Sequence, residues 1–291
     1  MTALRILIDS LAIGSLYALG AVGFTLMFGV CGILNLAHGA TMVVAAMTAW
    51  MVAGRLGLGG VASLPAGLAA GVITALATYR LVVRPIQQSR ALPEAEKEIF
   101  ILTATLLWGI LLREAVAYLF SDSPVSTPAL IPGIVRLGRI RLPIDKLLDS
   151  FICWGAIAAL WLLVNRTKMG QTLLGAAANP RAMTLLGHDL ARVYRLTWIL
   201  YGLLTGLAGV LLAGILGAGS AQSGQLTASA FTIVVLGGLG NVYGSLIAAY
   251  AVGTLETTTA YLLSPQIRSI PALLLLVLIL YFRPQGLLGR R

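Results

Sequence analysis

Charge is scarce in this chain. Asp, Glu, Lys and Arg make up 10% of its 291 residues, against 58% hydrophobic ones, and the mean hydropathy is +0.93. No soluble domain has enough interior to hide that much apolar surface, which excludes a water-soluble fold. Histidine and cysteine are scarcer still, at two each. Cys31 and Cys153 lie in or beside apolar runs, with no CxxC pair and no clustered histidine, so no metal site is expected. His38 and His188 stand far apart with no HExxH between them, and no nucleophile–base or carboxylate pair suggests an enzyme. A G-x-x-x-x-G-K-[ST] phosphate loop is also missing, so the chain has no nucleotide site or other cofactor site of its own. The ten-residue alternation of porin strands is absent too.

What remains is a polytopic helical membrane protein. Several apolar runs reach the ~20 residues needed to cross a bilayer as a helix. The 33 glycines suit helices that pack closely in lipid. Apolar runs cover roughly 6–30, 40–54, 61–83, 99–120, 149–165, 196–218, 229–240, 244–263 and 269–282. They predict an all-α transmembrane bundle of eight to ten membrane segments, forming one integral domain over residues 1–291. The short runs imply broken or re-entrant pieces. The first run is long and contains Asp9, Ser10 and Ser15, so it reads as a membrane segment rather than a cleavable signal peptide.

The net charge of +10 sits in the connections. Arg80, Arg84, Arg90 and Lys97 mark one; Arg166, Lys168, Arg181, Arg192 and Arg195 mark another; Arg283, Arg290 and Arg291 mark the C-terminus. This is the pattern of cytoplasmic loops rather than of a nucleic-acid surface, so no nucleic-acid partner is expected. Residues 84–98, 166–195 and the C-terminus are placed inside, and residues 121–148, which mix Asp122 and Asp145 with Arg136, Arg139, Arg141 and Lys146, outside. The runs then thread as nine crossings.

Two interrupted segments stand out. Gly29-Val30-Cys31-Gly32 leads into Asn35-Leu36-Ala37-His38-Gly39, and Gly237-Gly238-Leu239-Gly240-Asn241 leads into Gly244. Each has glycines, an Asn, a ring and a glycine. Interrupted segments in corresponding halves point to a transport pathway, because irregular backbone at membrane depth needs protein or water around it. Asn35, His38, Gly39, Gly237, Gly238, Gly240 and Asn241 are therefore expected to border a route through the membrane. The competing reading is close packing and ordinary turn chemistry, with His38 donating to a backbone carbonyl. Glu256 lies near the middle of its run and should face the interior or a water cavity, or bond a Thr or Tyr across helices. Arg113 and Glu114 are adjacent, not an i,i+4 pair, and mark an approach to the outer interface. Tyr17, Tyr201 and Tyr250 read as packing or interface residues.

The basic loop 166–195 has its own helix punctuation. Asn179 is a good N-cap and Pro180 suits the first helical position. Gly187 suits a left-handed stop, and Asp189 can cap the next helix. A short helix over 180–186 follows, with Ala182, Leu185 and Leu186 as its apolar face and Arg181 and His188 beside it. A chain that only needs to turn round would do so in fewer residues, so the helix suggests something for a second protein to grip.

The Asn35-Leu36-Ala37-His38-Gly39 stretch, following Phe28-Gly29-Val30, resembles the signature of permeases in bacterial branched-chain amino acid ABC importers. Gly14-Ser15-Leu16-Tyr17-Ala18-Leu19, the Arg181 to Gly187 loop, Thr205-Gly206-Leu207-Ala208-Gly209, Val235 to Asn241, and Arg283-Pro284-Gln285-Gly286 agree in order over nearly the whole chain. The resemblance implies a multi-pass subunit of the bacterial inner membrane. It would pair with a second homologous permease, or a copy of itself, and sit on two cytoplasmic ATP-binding subunits that bind the ATP. It would receive amino acid from a periplasmic binding protein. Residues 180–186 would be the coupling helix that docks on the ATPase, with Asn179, Gly187, His188 and Asp189 framing it. Two positions depart from the family pattern. Ala40 and Asn179-Pro180 stand where acidic residues are common, which leaves the substrate and the charge of the docking cleft open.

Other classes fit less well. A permease for urea, short amides or another small organic solute remains an alternative within the same family. A passive channel would explain the glycine-rich breaks but not the capped loop helix. A secondary transporter should hold several intramembrane ionisable groups, where Glu256 and Asp9 are few.

Overall fold

The computed structural model describes residues 2–120, 125–126, 130–131, 133–137 and 140–289. Asp122, Arg139, Arg290 and Arg291 lie outside the described residues. In chain order the helices are α1 (Thr2–Cys31), α2 (His38–Trp50), α3 (Gly59–Ala77), α4 (Arg84–Gln88), α5 (Glu94–Leu119), α6 (Ile144–Arg166), α7 (Lys168–Ala178), α8 (Pro180–Leu185), α9 (Leu190–Leu216), α10 (Ser223–Gly237), α11 (Val242–Leu262) and α12 (Ile270–Phe282). π-Turns extend α2 to Arg55 and join α3 to α4. Each apolar run of the sequence is helical over most of its length, the run 229–240 ending in a non-helical turn after Gly237. Among the described residues, six helical stretches are long and apolar enough to span a bilayer: Ala3–Cys31, Gly59–Gln88, Ala95–Leu119, Ile144–Arg166, Leu190–Leu216 and Pro265–Phe282. The chain is a multi-pass membrane protein. The connection between α5 and α6 adds a hairpin, Ile134–Leu137 paired antiparallel with Ile140–Pro143.

The hydrophobic helices differ in what surrounds them. In the most apolar window of α1, 83% of residues are buried, and in that of α9, 61%, against 6% for the last span. So α1 and α9 form the centre, while α12 turns Leu274, Val277 and Leu278 outward. Water cannot drive helices together inside lipid, so close contact depends on small residues that let backbones approach. α3 crosses α9 at such a point: a Cβ on Gly71 would lie 2.6 Å from the Gly202 carbonyl and 2.7 Å from Gly206 Cα. α1 and α11 run antiparallel with Gly14 against Gly253, Tyr17 beside Glu256 and Thr25 bonded to Ser245.

Following the chain direction sorts the connections into two ends. The end of α1, α4, α7, α8, the α10–α11 turn and the last residues share one, where a cavity of about 590 Å³ lies among Phe28, Arg84, Lys97 and Tyr194. The other end holds the start of α1, the hairpin and the turns before α10 and α12. There Lys146 pairs with Asp9 at 2.7 Å, the Tyr261 hydroxyl donates to Asp9 at 2.5 Å, and Val125 pairs with Ala218.

Candidate functional site

The first break is a built junction inside the bundle. α1 stops at Cys31, Gly32 takes φ +68°, and the chain turns back without helical structure until α2 begins at His38. His38 lies beside Gly20, midway along α1. Non-helical backbone here must find partners within the protein. The Leu36 amide donates to the Thr105 hydroxyl on α5 at 3.2 Å, and the Gly39 amide to the Thr227 hydroxyl on α10 at 2.9 Å. Asn35 accepts from the Ala37 amide at 3.1 Å and donates to the Tyr201 hydroxyl on α9 at 3.0 Å. His38 Nδ1 lies 3.0 Å from that same hydroxyl, with the Phe24 ring edge-on to the imidazole. A Cβ on Gly39 would run into the Ser223 carbonyl, so α2 and α10 meet only because this residue is glycine. Asn35 and His38 are fully buried. His38 does not bond a carbonyl at the break; Tyr201 takes its Nδ1, while Nε2 has no hydrogen-bond partner among the described residues. Tyr201, Thr105 and Thr227 were not singled out as functional by sequence reasoning. Their signal was a hydroxyl inside an otherwise apolar helix.

The second break is a turn at the basic end. α10 ends on Gly237, Gly238 takes φ +104° and Gly240 φ +80°, and Asn241 caps α11 by accepting from the Gly244 amide at 3.1 Å. A Cβ on Gly237 would strike the backbone of Gly244. The C-terminal residues lie over this turn as a strap. The Leu287 amide donates to the Leu236 carbonyl, the Leu288 amide to that of Gly237, and Asn241 Nδ2 to the Leu288 carbonyl at 2.7 Å. The two breaks thus are not structural counterparts. Asn35, His38 and Gly39 come together in the bundle, whereas Gly237, Gly238, Gly240 and Asn241 come together under the strap. Gly240 touches Gly29 near the end of α1, which is where the two regions meet.

Glu256 belongs to neither. It is 3% exposed, accepts from the Tyr17 hydroxyl at 2.7 Å and from Ser229 at 3.3 Å, and has Arg268 Nε at 3.9 Å. A carboxylate in a membrane helix is costly unless it faces the interior and finds partners. Here it ties α1, α10 and α11 to the turn before α12. Tyr17 is thus more than packing, and Tyr250 accepts from Trp154 Nε1 at 2.7 Å. No group of three or more His, Cys, Asp or Glu side chains suited to a metal ion occurs among the described residues.

The basic loop folds as its punctuation predicts. Asn179 Oδ1 accepts from the Ala182 amide at 3.0 Å, with Pro180 opening α8. At the other end Gly187 takes φ +83°, its amide donates to the Thr184 carbonyl, and the His188 amide donates to that of Met183. That paired pattern is the Schellman stop. Asp189 then caps α9 through the Ala191 amide at 2.9 Å and pairs with Arg192. α7 is an additional helix, capped by the Thr167 hydroxyl on the Gly170 amide. Met183, which was not on the expected apolar face, turns inward onto Gly175, and Ala182 is only partly exposed. Leu185 and Leu186 point outward, 90% and 74% exposed, with Arg181 and His188 exposed beside them.

A model of the family described as branched-chain amino acid transport system, permease component, matches residues 6–281. The chain is 28% identical to the high-affinity branched-chain amino acid transport system permease protein BraD of Pseudomonas aeruginosa, an alignment covering 99% of this chain and 96% of that protein. It is 26% identical to the corresponding permease protein LivH of Escherichia coli K12, with the same coverage. Among solved structures, PsaBC from Streptococcus pneumoniae in complex with Fab shares the fold. The TM-score is 0.53 at 15% identity, covering 96% of this chain and 92% of that one.

Proposed function

The chain belongs to the permease-component family of branched-chain amino acid transport systems, and from that premise we propose that it is the membrane subunit of an ATP-driven importer of branched-chain or related amino acids. On this reading it works in the bacterial inner membrane as one integral domain, beside a second permease or a copy of itself. Two cytoplasmic ATP-binding subunits supply the energy and a periplasmic binding protein supplies the substrate. ATP binds to those partners, and this chain carries out no catalysis.

One observation supports the reading most: α8 is capped at both ends, yet its Leu185 and Leu186 are left uncovered at the basic end of the bundle. A helix of this length is marginal alone in water, below the ~12 residues that isolated helices need. Its caps hold it ready for a partner, and its apolar tip gives that partner something to bury. Motion imposed on α8 would pass through Gly187 to the Asp189 cap and along α9. Tyr201 lies twelve residues, about 18 Å, further along that rigid helix. It would carry the displacement to Asn35 and His38 at the first break.

The test uses the reconstituted transporter with its ATPase and binding protein. Leu185→Asp would place an unpaired charge in a desolvated contact, which is costly. Gly187→Val would strain the stop, because a β-branched residue resists positive φ. Both variants should insert and assemble with the second permease but lose substrate-stimulated ATP hydrolysis and uptake. Coupled hydrolysis at the wild-type rate in Leu185→Asp would overturn the coupling role.

A further inference from the structure

A second cavity, about 280 Å³, lies where the first break meets α5 and α10. Leu36 and Ala40 wall it from the break side, Leu106 and Ile110 from α5, and Phe231 from α10, with Arg113 as the cation among its lining residues. That volume is just below the ~300 Å³ at which small-molecule sites begin, room for one compact ligand.

Arg113 is the unusual member. It lies six residues, about 9 Å, inside the end of α5, and its side chain is half exposed. An arginine so placed in a spanning helix is costly against lipid and normally faces protein or a water-filled path. Its Nε lies 3.3 Å from Glu114, its neighbour in sequence, which leaves the terminal nitrogens of the guanidinium fork for another acceptor. Arginine matches a carboxylate in a two-pronged contact that lysine cannot reproduce. The rest of the wall is mainly aliphatic and aromatic. One end of the site thus suits a carboxylate and the other a branched apolar side chain.

We propose that this cavity is a station for the amino acid in transit, with Arg113 holding its α-carboxylate and Leu106, Ile110 and Phe231 receiving its side chain. The proposal rests on the importer reading above, and it assigns recognition to α5 and α10 rather than to His38, whose ring is sealed inside the bundle.

The experiment is leucine uptake by the complete transporter in proteoliposomes, with ATP hydrolysis measured in parallel. Arg113→Gln should lower leucine uptake by about tenfold, the order expected for one charge-assisted contact, and Arg113→Lys by less. Hydrolysis stimulated by loaded binding protein should persist in both, so the ATP used per leucine rises. Ile110→Trp, on the exposed rim, should block uptake in an assembled complex. Wild-type uptake in Arg113→Gln overturns the proposal. If Arg113→Gln fails to assemble, Ile110→Trp decides, and normal uptake in that variant overturns it. A wild-type transporter that hydrolyses ATP but imports no amino acid would instead defeat the importer reading itself.

Discussion

The first and second breaks look alike on paper and do different physical work. At the first, hydroxyls on α5 and α10 accept from backbone amides in the bundle and Tyr201 on α9 holds Asn35 and His38. Beside the local bond from the Ala37 amide to Asn35, the contacts thus come from helices remote in sequence. At the second, the turn satisfies itself through Asn241, and the C-terminal strap covers the exposed carbonyls. The same glycines, Asn and ring mark both. What separates them is depth: away from water, an interrupted helix must borrow hydroxyls, while at the bundle end a cap and a strap suffice.

That contrast can be broken most forcefully at Gly39. Gly39→Leu drives a side chain into the Ser223 carbonyl and should abolish stable assembly, at a cost at or beyond the ~1–3 kcal/mol of ordinary overpacking. Size-exclusion profiles of the purified chain check this, and a monodisperse Gly39→Leu protein would show the junction to be looser than described. Tyr201→Phe should come next. It strands the buried Asn35 amide and His38, costing about 1–3 kcal/mol. Its thermal midpoint in detergent should fall clearly, and transport with it. Asn241→Ala should be milder, about 1 kcal/mol for a lost N-cap, because the turn borders solvent. If Asn241→Ala proves more damaging than Tyr201→Phe, the ranking of the two breaks is reversed. The gentlest probe leaves stability untouched. In a background lacking Cys31 and Cys153, Gln266→Cys should react with an impermeant thiol reagent on intact cells and Gln171→Cys should not. Labelling at 171 would place the strap and the second break on the wrong side.

How much was legible in the sequence follows the same division. α8 could be read with its caps because Asn179, Pro180, Gly187 and Asp189 act on neighbours within four residues. The first break was legible as a break, since Gly32 and the polar stretch after it interrupt an apolar pattern. Its partners were not: Tyr201 is 166 residues from Asn35, and nothing local distinguishes it from a packing tyrosine. Glu256 was placed inward correctly from the expense of its charge, and tyrosine was one of the two partners foreseen. α7 was missed because Lys168–Ala178 is small and polar enough to pass for loop. The strap went unread because main-chain hydrogen bonds between Leu236, Gly237 and residues fifty positions later leave no residue-type signal.

The central position of α1 carries a consequence for biogenesis. The ribosome delivers this helix ahead of the other helices described, and its antiparallel partner α11 begins 211 residues after α1 ends. At ~5–20 residues per second, synthesis of that interval takes on the order of ten to forty seconds. Throughout it, Asp9 lacks Tyr261 and Tyr17 lacks Glu256, and until α6 is made Asp9 lacks Lys146 as well. The nascent chain must therefore hold an apolar helix with unpaired polar side chains in or beside the insertion machinery until α11 arrives. Truncated chains that stop before Val242 should be retained there, or degraded, rather than released as a stable half-protein.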